Sequence, residues 1–262
     1  MKNVKTLALT LALISAPALA ADNDGRINQA GNHNQGALSQ MGANNQSNTY
    51  QSGNHNRSQA SQYGQSNEQR IHQAGNFNSS YSSQYGNGNS ASTYQAGNHN
   101  ATQGIQSGNN NALSQSQRGN HNRSYASQYG SDNRLRVGQN GNHNAADSRQ
   151  RGLDNEGYIS QNGNHNRAYT DQDGIDNSAS VWQSGNHNSG TVLQNGIGNE
   201  STVAQNGDHN DSFICQYGTD NIAATRQIGN HNGADVIQSG TSDLASIQQV
   251  GNHNASMISQ GN

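Results

Sequence analysis

From Gln29 to Gln260 a glutamine stands at every eleventh position, and no other feature limits the folding of the chain so sharply. The series Gln29, Gln40, Gln51, Gln62 runs on through Gln249 without an insertion or a gap. Two residues after each Gln stands Gly, from Gly31 and Gly42 to Gly251. Five residues after each stands Asn, from Asn34, Asn45 and Asn56 to Asn254, with Asp243 the one departure. So strict a period means repeated structural units, each of which buries itself only against its neighbours.

An 11-residue period also fits a right-handed helical coiled coil at about 3.67 residues per turn. A recurrent Gly with Asn nearby and almost no Leu excludes a long helix. Alternation gives the other answer. After each Asn, the residues two, four and six positions on are small, then aliphatic or small, then Gln, as in Asn199, Ser201, Val203, Gln205. Such residues share one face of a strand. The intervening positions, such as Arg57, Gln59 and Ser61, are polar and variable and read as the solvent face.

Every second unit carries Gly-Asn-His-Asn, as at Gly31 to Asn34, with Phe77 for one His and Asp208 for one Asn, so the full repeat is 22 residues in eleven copies. Gly takes positive φ and Asn tolerates left-handed backbone, so these tetrads are reversals between strands. Identical Gln and Asn positions favour stacking each strand on its counterpart one copy away over a hairpin. The expected fold is all-β: a two-sheet β-solenoid of stacked strand-turn-strand units, a cross-β arrangement. Like residues then lie about 4.8 Å apart, so inward Gln and Asn bond to their own kind in amide ladders. Small residues meet large ones inside, with Ala60 expected against Ile71, Ala126 against Val137 and Ser148 against Ile159.

Composition now has a different meaning. Only 28% of residues are hydrophobic and mean hydropathy is -1.05, values of a disordered chain. Yet charged residues make up only 11%, while 43 Asn, 30 Gln and 31 Gly fill 104 of 262 positions. The polar residues are the expected interior. A net charge of -3 supplies no basic field for nucleic acid.

Lys2 and Lys5, the apolar stretch Thr6 to Ala16 and the small residues Ala18-Leu19-Ala20 describe a secretory signal peptide over residues 1–20. The stretch is too short to span a bilayer. Residues 21–26 form a short segment before the repeats, and 27–262 the solenoid. The single Pro, Pro17, falls in the removed segment, leaving nothing to forbid continuous strand pairing. Ordering a residue costs about 1–2 kcal/mol while a net hydrogen bond returns about 0.5–1.5, so one rung cannot persist alone. Repeats beginning at Ile27 and ending at Gln260 leave little chain to cap the sheet edges, which points to end-to-end addition and an open filament.

A signal peptide followed by Q-x-G-x-x-N repeats, over residues 27 to 260, resembles the curlin family, the subunits of bacterial curli amyloid fibres. The resemblance implies export as an unfolded chain through an outer-membrane secretion channel with periplasmic chaperones, and nucleation by a minor curlin. It also implies a homopolymeric extracellular fibre, a fimbrium at the cell surface, used in biofilm matrix and adhesion. By the same resemblance, ladder roles fall to Gln29, Asn34, Gln40, Asn45 and their equivalents. Curli major subunits usually carry a longer Gly-rich segment before the first repeat than the Ala21 to Arg26 found here.

His33, His55, His99, His121, His143, His165, His187, His209, His231 and His253 are expected in one column, interrupted at Phe77. They are metal candidates, but no carboxylate or Cys recurs beside them, which favours a polar turn role, with fibre growth slowed in acid. No cofactor is expected. Asp171, Asp173 and Asp176 are candidate gatekeepers that delay aggregation during export. Tyr50, Tyr81, Tyr94, Tyr125, Tyr158 and Tyr169 are expected to face outward, as is Cys215, which leaves a covalent link between subunits open.

An ice-binding solenoid needs a flat outward Thr ladder, where this chain has Gln59, Tyr81, Gln103, Tyr125 and Asp147. A calcium-binding repeat needs Asp at a fixed turn position, and a solenoid hydrolase needs carboxylates grouped in a cleft. Neither pattern is present, and no enzymatic activity is expected. Within the family the alternative is the minor, nucleating subunit. The unbroken period favours the major one.

Overall fold

The computed structural model describes residues 22–261; the expected signal peptide lies outside the described residues. The described chain forms 22 strands, from β1 (Asp24–Ala30) and β2 (Gln35–Ala43) to β21 (Leu244–Val250) and β22 (Ala255–Gly261). Odd-numbered strands make one 11-stranded sheet and even-numbered strands the other. Every pairing is parallel and joins residues 22 apart, such as Gln51 with Gln29 and Gln62 with Gln40. Each rung is therefore one 22-residue copy, contributing one strand to each sheet. The first strand starts ahead of the period: Asp24, Gly25 and Arg26, expected to precede the solenoid, lie within β1.

Reversals fall where the sequence places them, and backbone sterics explain why. The Gly two residues after each Gln has positive φ, 118° at Gly130. A Cβ on Gly130 would overlap the carbonyl oxygen of Gly152 one rung on, so the position rejects every side chain twice over. Two residues later comes a second left-handed position, with φ between 55° and 59° at each non-glycine residue. There the two edges of the solenoid diverge. One edge uses His ten times and Phe77 once; the other uses Asn, Ser, Gly and Asp.

The interior is thin and mostly amide. Ala60, Ile71, Ala126, Val137, Ser148 and Ile159 are all buried, as expected. At the first rung, a Cβ on Gly36 would come within 2.9 Å of Ile27 Cγ2, so small residues of one sheet face aliphatic residues of the other.

The period conceals an asymmetry along the stack. The continuous apolar core runs from Leu113 to Ile247, which is rungs five to eleven. Rungs two to four bury only Ala60, Ile71 and Ala91 as apolar side chains. In their place stand Ser47, Thr49, Ser58, Ser80 and Thr102, whose hydroxyls have no partner, and Gln69, whose amide has none at either atom. Such orphaned groups cost about 1–3 kcal/mol each. Beyond rung five the inward hydroxyls are paired: Ser148 with Thr170 at 2.5 Å, Ser212 with Thr225 at 2.6 Å, Ser201 to Gln216 at 2.6 Å.

These contacts give a glycine of the period and a glycine outside it different tolerances. Gly138 → Ala meets nothing closer than 3.9 Å, so it should change the denaturant midpoint of the assembled protein by no more than about 0.5 kcal/mol equivalent. Gly130 → Ala should cost about 1–3 kcal/mol and lower that midpoint clearly. Equal midpoints would contradict the turn assignment.

Candidate assembly site: amide ladders and the imidazole edge

The inward Gln residues form two columns, one per sheet. Gln128 shows the pattern. Its Nε2 donates to Gln150 Oε1 at 2.9 Å, to Ala112 O at 3.0 Å and to Asn133 O at 3.0 Å, while its Oε1 accepts from Gln106 Nε2 at 2.8 Å. One side chain thus ties its own sheet to the rungs on either side and reaches a strand of the other sheet. The ladder runs from Gln29 to Gln51 at 2.5 Å, and at the far end from Gln238 to Gln260 at 3.0 Å. Gln51, Gln62 and Gln73 are fully buried, and Gln249 nearly so.

Inward Asn residues form a second pair of columns that runs the opposite way. Asn56 donates its backbone N–H and its Nδ2 to Asn34 Oδ1 at 3.0 and 3.1 Å, and its Nδ2 also to Gly75 O at 2.7 Å. Asn67 repeats this on Asn45, and Asn254 on Asn232. Gln donates forward along the chain and Asn backward. Both also donate to backbone carbonyls, as Gln128 Nε2 does to Asn133 O and Asn56 Nδ2 to Gly75 O. Gly31 and Gly42 carry the exposed bends between these columns.

The ten expected His side chains share one exposed edge, with ring centroids 4.7–4.9 Å apart and Phe77 stacked between His55 and His99. The rings lie within 14° of parallel as far as His209, and the last two steps turn to 77° and 81°. From His33 to His187 the column lines an open groove of about 1220 Å³ with a row of Asn side chains. No group of three or more His, Cys, Asp or Glu able to hold a metal occurs among the described residues. Left-handed backbone does not itself demand His, since Asn44 and Asn110 occupy the equivalent place on the other edge.

The acidic candidates separate. Asp176 is a left-handed turn residue. Asp171 and Asp173 lie on the outer face, 3.7 and 3.8 Å from Arg151 Nη1, so within the stack their charge is offset. Beside them, burial raises the Asp147 carboxyl while Arg149, 3.7 Å away, draws it back down. Cys215 corrects the reading from strand parity. It lies on the outward side, yet it is only 6% exposed, with Leu193 and Ile237 in register above and below and Phe213 and Tyr217 flanking it along the strand. Burial pushes its thiol up, so it presents no ready nucleophile for a link between subunits. The outward Tyr residues are half-buried apart from Tyr50; Tyr85, Tyr129 and Tyr217 stand out further.

The model of the curlin associated repeat matches residues 108–141, 152–185, 174–207, 185–218 and 229–261. The chain belongs to the curlin family. No curated protein matches it. The matched segments of this curlin lie mainly in the rungs with the aliphatic core, and the ladders extend the same geometry to the first strand.

Two outcomes follow for this curlin. Gln128 → Ala leaves Gln150 Oε1 without its donor and takes one hydrogen bond each from Gln106 Nε2, Ala112 O and Asn133 O in a dry interior, so the folded stack should lose about 1–3 kcal/mol or more, read from its denaturant midpoint. An unchanged midpoint would contradict the ladder. Neighbouring rings of the column lie 4.8 Å apart at His99, His121 and His143, and two positive charges at that spacing repel by about 0.9 kcal/mol in water. Seeded elongation should therefore be slower at pH 5 than at pH 7.5, and equal rates would exclude a role for the column in pH response.

Proposed function

We propose that this curlin is the major structural subunit of an extracellular curli-like fibre at a bacterial cell surface. It polymerises by end-to-end stacking of solenoids and serves biofilm matrix and adhesion. The observation that carries the reading is that the terminal rungs keep the ladder residues, with Asp243 the one departure. Gln29 and Gln40 offer Oε1 atoms that accept no hydrogen bond, and strands β1, β2, β21 and β22 pair on one side only among the described residues. An edge of this kind is a template for another strand of the same sequence. Membership of the curlin family and the regular β-solenoid support a structural role. No helix among the described residues is long and apolar enough to cross a membrane.

On this reading the partners are further copies of the chain, with a minor curlin as nucleator and a secretion channel and chaperones for export. Asp171 and Asp173 then act as gatekeepers in the unfolded chain, where Arg151 does not yet hold them. Purified residues 21–262 should form thioflavin-positive fibres visible by electron microscopy, and Asp171 → Asn with Asp173 → Asn should shorten the lag. A chain still soluble and monomeric after days would overturn the fibre reading; an unchanged lag would remove only the gatekeepers.

A further inference from the structure

We infer that the fibre grows chiefly at the end presenting β1 and β2, each new copy docking through its C-terminal rung and ordering from rung eleven back to rung one. The inference rests on the end-to-end reading above and adds its direction.

The ladders first make the two ends different and mutually complementary. Each Gln donates to the rung after it, so the last rung holds Gln Nε2 groups without a forward acceptor, and the first rung holds the unused Oε1 atoms of Gln29 and Gln40. Each inward Asn accepts at Oδ1 from the rung after it. In the last rung Asp243 stands in this column, its N–H donating to Asn221 Oδ1, and Asn23 of the next copy is the residue in register to follow it. Joining last rung to first also places Ile247 on Ile27, Ile258 on Leu38 and Ala245 on Gly25. Two like ends would set Gln donors against donors. The joint is head to tail.

Direction follows from the uneven interior. A chain that docks by its last rung orders rungs eleven to five first, and each step buries aliphatic side chains of the core between Leu113 and Ile247. The rungs holding unpaired Ser47, Thr49, Ser58, Gln69, Ser80 and Thr102 come late, onto a stack already formed. A chain docking by its first rung meets those unfavourable rungs first, with no aliphatic rung yet in place. The two routes end in the same joint but differ in where the costly stretch lies. An early costly stretch raises the barrier to addition, and a late one does not.

Proline at an edge tests this. Outward residues donate toward the following rung, as Asp24 N does to Asn45 O and Gln35 N to Asn56 O. In a parallel ladder the inward residues then point the other way. Ile27 and Leu38 therefore carry N–H groups on the free edge of the first rung, and Gln248 and Ser259 carry them on the free edge of the last. Ile27 → Pro with Leu38 → Pro blocks the first edge without removing a hydrogen bond of the chain's own, and Gln248 → Pro with Ser259 → Pro does the same for the last.

Added in small proportion to wild-type chain growing on preformed seeds, the Ile27 → Pro and Leu38 → Pro chain should dock and terminate growth, with loss of most of the elongation rate. The Gln248 → Pro and Ser259 → Pro chain should fail to dock and leave the rate unchanged. The reverse pattern, or equal inhibition by both, overturns the direction. Wild-type chain that does not elongate its own seeds overturns the end-to-end reading instead. Pulsed hydrogen exchange on wild-type chain gives an independent check: amides of residues 244–261 should become protected before those of 24–54, and simultaneous or opposite protection contradicts the inference.

Discussion

One interaction organises this molecule: the hydrogen bond from a buried side-chain amide to the same amide 22 residues away. It requires identical residues in register, and it tolerates no slip, because a shift of one residue would send every Gln to the solvent face. The invariant Gln and Gly positions and the near-invariant Asn follow from it, and so does the freedom of the outward positions, which touch only their own column. A chain with few aliphatic residues can fold this way because its polar groups are paired inside instead of being left to water.

Dependence on neighbours has a structural consequence. Nearly all of the stabilising pairs join adjacent rungs, and the interior between the sheets is too narrow to supply a large core of its own. Stability is therefore a property of the stack, as in other repeat proteins. Superimposed on that uniformity is a gradient. Within its strands, the aliphatic interior between Leu113 and Ile247 leaves one inward polar atom unpaired, Gln115 Oε1 in rung five, whereas the Ser, Thr and Gln interior of rungs two to four leaves several. The two ends of the solenoid are thus chemically distinct, although their backbones are alike.

Much of this is legible in the sequence, because the information lies in spacing. The 11-residue step fixes which residues turn, which face inward and which copies pair, and residues such as Gln51, Gly130 and Asn56 occupy the places that their period assigns. Less legible is anything that depends on the height of a neighbour. Parity puts Cys215 outside, but it cannot show that Leu193, Ile237, Phe213 and Tyr217 rise around a small side chain and cover it. The same limit applies to Asp171 and Asp173, whose offset by Arg151 arises only when one copy lies on the next. The identity of the left-handed residue is a subtler case: the backbone accepts Asn or Asp there, and only stacking of one planar ring on another accounts for Phe77 among the His residues.

The central claim is the register itself, each residue lying beside its counterpart 22 positions away in the same sheet. Spin labels on the outer face measure it directly, in a Cys215 → Ser background with cysteines introduced at Gln103 and Tyr125, which are register partners in adjacent strands. A second pair at Gln103 and Ser114 spans one 11-residue unit and lies on opposite sheets. The account predicts strong spin exchange for the first pair, from labels about 4.8 Å apart, and none for the second. Exchange between Gln103 and Ser114, with none between Gln103 and Tyr125, would replace the two-sheet stack with hairpin pairing and contradict it.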